Sequence, residues 1–182
     1  MDTLKIRHSA DPDVEAMLVI YRHHIARGVD PDAIHDVEPI DPEELKRRRK
    51  NFRSRRLPHL VAEIDGVIVG YAYVVPFRKR PAYRYAVKHS IYIHKDFQRA
   101  GIGGRLLSAL IDACAAVGFR QMIGYIDAAN AASLRLHEKF DFKQVGFLPS
   151  VGFKFGRWTD VTMVQRPLGA GGAAPPESWP AP

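Results

Sequence analysis

One stretch of the chain has the residue types and spacing for ligand chemistry: Gln98-Arg99-Ala100-Gly101-Ile102-Gly103-Gly104-Arg105. Glycine lets the backbone turn sharply and brings its N–H groups close to a ligand. With the N-terminus of a following helix, those groups make a seat for an anion such as a pyrophosphate. A second polar group, His35 and Asp36, sits in a segment over residues 29–40 that reads as a loop and could face a substrate. The only cysteine, Cys114, falls on the apolar stripe of the helix after the glycines, where a thiol is a small inert core group.

The flanks of the glycine run fix its setting. Ser90-Ile91-Tyr92-Ile93-His94 is β-branched and aromatic and reads as a strand. Leu106, Leu107, Leu110, Ile111 and Cys114 then recur at helical spacing. The glycines therefore stand at a strand-to-helix junction.

A chain of 182 residues is long enough for one domain with a substantial core. Its 46% hydrophobic and 26% charged residues are ordinary for a globular protein. No apolar run approaches the roughly 18 residues of a membrane span. The start, Met1-Asp2-Thr3-Leu4-Lys5, does not read as a signal peptide, so the expected location is the cytoplasm. A single cysteine excludes an internal disulfide. The net charge of +7 is local: residues 46–56 hold eight Lys or Arg and no acid, and without them the formal charge is −1. Such a run suits phosphates, nucleic acid or an acidic partner, but a solvated helix face is the favoured reading.

Taken in order, Leu4-Lys5-Ile6-Arg7 reads as a first strand. Asp11 is expected to cap a helix that starts at Pro12, carries Val14, Leu18, Tyr21 and Ile25 on one stripe, and ends at Gly28. Asp41 and Glu44 have capping-box spacing at a second helix start. Two strands, 60–64 and 67–75, flank Asp65-Gly66, a type I′ hairpin signal. A strand over 85–93, the glycine loop with its helix to Gly118, a strand over 121–126, a helix over 131–140 and strands near 143–148 and 158–165 complete the order. The pattern β-α-α-β-β-β-α-β-α-β-β predicts an α/β (α+β) domain over residues 1–168, a mixed sheet with helices packed on it. The Gly-, Ala- and Pro-rich tail 169–182 has little to bury and is expected to be disordered.

The loop pattern Gln98-x-x-Gly101-x-Gly103 resembles the acetyl-CoA pyrophosphate loop (Q/R-x-x-G-x-G/A) of the GNAT superfamily of N-acetyltransferases. Asn130-Ala131-Ala132-Ser133-Leu134-Arg135-Leu136-His137-Glu138-Lys139 is similar to the N-x-x-S-x-R-L-H-E-K segment of the phosphinothricin and methionine sulfoximine acetyltransferases. Gly156-Arg157-Trp158-Thr159-Asp160-Val161 resembles that group's G-x-W-x-D-V motif, and Pro76 to Tyr85 matches with Arg80, Ala82 and Tyr83 in place. The resemblance covers residues 4–168. It implies the GNAT fold with a mostly antiparallel sheet, acetyl-CoA as co-substrate with no metal, a homodimer, and a small amino-acid-like amine as acceptor.

Carried over residue by residue, the resemblance implies that the backbone of Ile91, Tyr92 and Ile93 holds the pantetheine arm. Arg99, Ala100, Gly101, Ile102, Gly103 and Gly104 would seat the pyrophosphate. Asn130, also a good helix N-cap, would reach the cofactor arm from the far side. Arg78, Arg80 and Tyr83 match positions of an acid-group clamp, for which a planar guanidinium is well suited.

The pattern breaks on the acceptor side. The family's base is the Glu of a V-E-x-S/T-V-Y-V strand, but this chain reads Val87-Lys88-His89-Ser90-Ile91-Tyr92-Ile93. A lysine is normally charged at neutral pH, with a reference pKa near ~10.4, and repels an ammonium. Lys88 is therefore assigned to acceptor binding and not to base chemistry. His35 and Asp36 stand where the family has Phe and Glu, and Asp141 stands at a family glycine. His137 is the best remaining proton-transfer group, since imidazole titrates near neutrality. A packing role is the competing reading. His89 ranks lower, because strand alternation points it away from the Lys88 face. The leading expectation is direct acetyl transfer from acetyl-CoA to a small amine. The alternatives are transfer to a larger amine or a protein N-terminus, and a CoA- or nucleic-acid-binding module with weak or no catalysis.

Overall fold

The computed structural model describes residues 4–27 and 41–176. In chain order the elements are β1 (Lys5–His8), α1 (Val14–Arg27), α2 (Pro42–Ser54), β2 (His59–Ile64), β3 (Val67–Pro76), β4 (Ala86–Ile93), α3 (Ile102–Ala116), β5 (Gln121–Asp127), α4 (Ala131–Lys139), β6 (Lys143–Lys154) and β7 (Arg157–Pro167). The strands form one seven-stranded sheet in the order β1-β2-β3-β4-β5-β7-β6. Among the described residues only the β4–β5 contact is parallel.

The sheet is covered on both faces, because alternate residues of its central strands are apolar on each side. On one face α3 lays Leu106, Leu107, Leu110 and Cys114, all fully buried, against Val69, Val74 and Val87. Each such side chain contributes about 1.5–3 kcal/mol of burial free energy. On the other face α1 packs Met17, Leu18 and Tyr21 against Tyr71 and Tyr92. Burial pushes the Cys114 thiol up to about 12, which keeps it protonated and inert.

Local signals place most of the ends. Asp65 and Gly66 have φ of 48° and 82°, the double left-handed geometry of a type I′ turn. The backbone N–H of Glu44 donates to Asp41 Oδ1 at 2.8 Å. The first helix starts differently from the expectation. Residues Asp11–Asp13 form a 3-10 turn, and it is Asp13, not Asp11, that accepts the Ala10 N–H, at 2.7 Å. Asp13 also takes a two-pronged contact from Arg7, while Asp11 turns outward to Arg49. Gly28 and the loop over 29–40, with His35 and Asp36, lie outside the described residues.

The β6–β7 hairpin is longer than its polar-apolar pattern suggested. Its turn is Phe155-Gly156, with φ of 49° and 73°, a dipeptide without the usual Asn/Asp-Gly signature. In the basic run, Lys46 and Arg48 pair with Glu43 and Glu44 on α2. Arg49 instead points inward, 4% exposed, to Asp11 and the Ser9 carbonyl. No described helix is long and apolar enough to cross a membrane.

Candidate active site

The site opens where two strands part. β4 and β5 pair only from Ala86–Gln121 to Lys88–Ile123. Beyond that point β4 stays with β3 as far as Ile93, and β5 stays with β7 as far as Asp127. The parting leaves a cleft of about 650 Å³, roofed by α4 and ending at the glycine loop. Backbone groups on the freed edge of β4 have no strand to pair with there, so they can meet the amides of an extended ligand. Of the residues expected to hold the cofactor, Ile91, Tyr92, Ile93, Arg99, Gly101, Gly103, Gly104 and Asn130 line this cleft.

At the loop, Arg99 and Gly101 both have left-handed backbones, with φ of 64° and 79°. Such residues gather successive N–H groups into an anion-binding concavity, here directly before the first turn of α3. A methyl at Gly101 would meet nothing within 4 Å, so glycine is needed there for conformation and not for space. Gly103 serves packing: an added Cβ would stand 3.3 Å from Leu136 Cδ2 of α4. Ala100 is exposed in the loop, and Ile102 turns its side chain into the core at 2% exposure. Any part these two take in seating a phosphate therefore belongs to their backbones. Asn130 caps α4, its Oδ1 accepting the Ser133 N–H at 3.1 Å, and lines the cleft as well.

His137 is 2% exposed on α4, and both its ring nitrogens are engaged. Nδ1 lies 2.7 Å from the Ser133 carbonyl oxygen and 3.4 Å from Ser133 Oγ. Nε2 lies 2.7 Å from His89 Nε2, and His89 Nδ1 lies 2.9 Å from the Ile123 carbonyl. Alternation does point His89 away from the Lys88 face, as expected. That opposite face is the one α4 covers, which brings His89 against His137. Burial, then the facing His137, then Lys88 push His89 down to about 3. Burial also lowers His137, with the Ser133 carbonyl acting in the opposite direction. The two rings do not charge together.

The acceptor-side residues stand elsewhere. Arg78, Arg80 and Tyr83 are exposed on the β3–β4 connection, with the Arg78 guanidinium 5.3 Å from the Phe77 ring centre. Lys88 Nζ lies 5.3 Å from the ring centre of Tyr125, which itself lines the cleft. Asp141 takes a left-handed backbone, φ 61°, a conformation that glycine adopts without strain. Ser133, Tyr125 and His24 were not singled out from sequence. His24 donates from Nε2 to the Ile93 carbonyl at 2.9 Å, and nothing in the α1 stripe distinguishes it from a surface histidine.

Residues 23–142 match the model of the acetyltransferase (GNAT) family. The chain is 43% identical to a phosphinothricin N-acetyltransferase of Alcaligenes faecalis over 94% of its own length and 86% of the relative's. It is 37% identical to an L-methionine sulfoximine/L-methionine sulfone acetyltransferase of Salmonella typhimurium, covering 91% and 95% of the two chains. A solved GNAT superfamily phosphinothricin acetyltransferase from Sinorhizobium meliloti, in complex with AcCoA, superposes with a TM-score of 0.91 at 38% identity, covering 96% and 94%. The loop, the parted strands and these similarities agree: the chain belongs to the GNAT family of acetyltransferases.

Proposed function

We propose that this protein transfers the acetyl group of acetyl-CoA to the amine of a small amino-acid-like acceptor of the phosphinothricin or methionine sulfone/sulfoximine type, directly within a ternary complex. The observation that carries the reading is a single continuous cleft running from the left-handed Arg99–Gly101 loop, along the freed edge of β4, to the wall formed by α4. The names of the similar acetyltransferases support both the co-substrate and the acceptor class.

In this reading the loop N–H groups of residues 99–104 hold the pyrophosphate. The backbone of Ile91–Ile93 takes the pantetheine arm as a strand takes a neighbour, and Asn130 closes on the arm from α4. His137 is the proton-transfer group. Arg78, Arg80 and Tyr83 receive the acceptor's acid group, and Lys88, His35 and Asp36 are the other acceptor-binding residues. A carboxylate or phosphinate suits two guanidiniums through paired charge-assisted hydrogen bonds. The protein works in the cytoplasm as a homodimer. Support for the dimer comes from the β6–β7 hairpin, where Val145, Phe147, Val151, Phe153, Phe155 and Trp158 are 49–66% exposed, an apolar strip that a second copy would cover.

The test is thiol release from acetyl-CoA with phosphinothricin, methionine sulfone, free amino acids and short peptides as acceptors. Saturable release with the first two supports the proposal. Transfer only to peptides would move the acceptor to protein N-termini, and no transfer to any amine would overturn the reading.

A further inference from the structure

The contacts of the two buried imidazoles set a proton count. His89 Nδ1 faces the Ile123 carbonyl at 2.9 Å and His137 Nδ1 faces the Ser133 carbonyl at 2.7 Å, and a carbonyl only accepts. Both Nδ1 atoms must then carry hydrogen. The two Nε2 atoms meet at 2.7 Å, a distance at which one of them must carry hydrogen too. Three ring hydrogens are one more than two neutral imidazoles hold. With one proton fewer, the contact that can give way is that of His137 Nδ1, because the Ser133 hydroxyl beside it can donate where the carbonyl cannot. The Ile123 carbonyl fixes His89 with its proton on Nδ1, so His89 Nε2 stays an acceptor and the neutral His137 keeps its proton on Nε2.

Resting on the acetyl-transfer reading, we propose that His89 is a positioning residue that fixes the tautomer of His137, making His137 Nδ1 the atom that exchanges one proton with the cleft through Ser133 Oγ. Ser133 and His137 both line that cleft, and each ring nitrogen of His137 is engaged with a protein atom, Nδ1 beside Ser133. In the forward direction Ser133 Oγ receives a proton from the acceptor's ammonium while its own hydroxyl proton passes to His137 Nδ1, which then donates to the Ser133 carbonyl. The amine nitrogen forms its bond to the acetyl carbon, and the C–S bond breaks with its electron pair on sulfur. The relay returns its proton to that thiolate, and the remaining proton on the new amide nitrogen leaves to water. The pair thus ends as it began.

Lys88, on the strand of His89, acts on the pair, and Tyr125 on β5, Arg135 and Lys139 on α4, His24 on α1 and Arg99 in the loop are the other charged and titratable groups that line the same cleft. Lys88 and the facing ring oppose a second charge on the pair, which keeps it to a single exchangeable proton. The residue before His89 is Lys88, and the relay moves the proton without a carboxylate at that position.

The experiment combines ¹⁵N NMR of histidine-labelled protein with pH profiles of acetyl transfer by His89→Phe and His89→Gln. The expected result is that neutral His137 is the Nε2–H tautomer in the unmodified protein. His89→Phe, which leaves Nε2–H without an acceptor, should convert it to Nδ1–H, lower kcat about 10-fold and shift the rising limb of the kcat profile to lower pH, with the KM for acetyl-CoA unchanged. His89→Gln, whose side-chain carbonyl can still accept, should recover most of the rate. A neutral His137 carrying its proton on Nδ1 in the unmodified protein overturns the proposal, as does an unshifted pH profile in His89→Phe. Should His89→Phe fail to fold, the tautomer of the unmodified protein decides. Should no amine be acetylated, the acetyl-transfer reading fails while the NMR result still reads the pair.

Discussion

Replacing Gly124 with alanine presses directly on the buried imidazole pair. The added methyl would stand 2.9 Å from His89 Cε1 and 3.0 Å from Val164 Cγ2. Carbon atoms in ordinary contact are about 3.5–4.0 Å apart, so the two neighbours must yield by a combined displacement on the order of 1 Å. Val164 is held by the β5–β7 ladder and His89 by its bonds to Ile123 and His137, so neither moves without loss. A shift of about 0.5 Å in His89 would stretch its 2.7 Å contact with His137 to the limit of a hydrogen bond. Overpacking costs about 1–3 kcal/mol and the weakened hydrogen bond about 1 kcal/mol. Against this, alanine stiffens the unfolded chain and returns about 0.4–1 kcal/mol. The net expectation is a destabilisation of about 2 kcal/mol. For a domain of this size that lowers Tm by about 4–8 °C. Scanning calorimetry reads the stability, and thiol release at saturating acetyl-CoA reads the accompanying fall in kcat. A Gly124→Ala protein with unchanged Tm and unchanged kcat would show that the crowding around His89 is not real.

Further expectations concern separate parts of the molecule. His137→Ala should slow turnover by about 10²-fold, within the range of a general acid–base group, and an undiminished rate in the thiol-release assay would return His137 to a packing role. Lys88→Ala should leave kcat largely intact and change mainly the KM of the acceptor; a loss of several orders of magnitude would place the lysine in the chemistry. Gly101→Ala should weaken acetyl-CoA binding in calorimetric titration, since a left-handed backbone with a side chain costs about 1–2 kcal/mol and no clash is involved. His59, stacked on Tyr71 and Tyr73, is pushed down to about 3 by burial and then by Arg49. Between that value and the ordinary imidazole range the unfolded chain binds a proton that the folded one does not, so stability rises with pH through this window by about 1.4 kcal/mol per unit. His59→Phe should flatten that slope in denaturant titrations at pH 4 to 6.5, and an unaltered slope would contradict the assignment.

Local chemistry made much of this protein legible in its sequence. Asp65-Gly66 can hardly be anything but a tight hairpin turn, and glycines between an apolar strand and an apolar helix announce a ligand-binding junction, because both signals act over a few bonds. The order of strands and helices followed from periodicity for the same reason. The start of α1 is not legible in the sequence because Asp11 and Asp13 are equivalent as near neighbours, and only the position of Arg7 on β1 and Arg49 on α2 separates their roles. The long β6–β7 hairpin was shortened because its exposed apolar residues do not alternate with polar ones, a pattern that makes sense only against a covering surface.

The active site divides along the same line. The glycine loop and Asn130 stand out in short motifs, since a loop's ability to gather N–H groups depends on its own backbone. Alternation alone showed that His89 and Lys88 face opposite ways. Which of those faces carries the helix with His137 depends on the crossover from β5 through α4 to β6 and on where α4 comes to rest, a contact between residues 48 apart in the chain. Periodicity along one strand carries no information about what packs above it. The sequence therefore determined the fold class and the glycine-rich strand-to-helix loop, and the tertiary structure decided that His89 meets a second histidine, because only folding brings β4 and α4 within hydrogen-bonding distance.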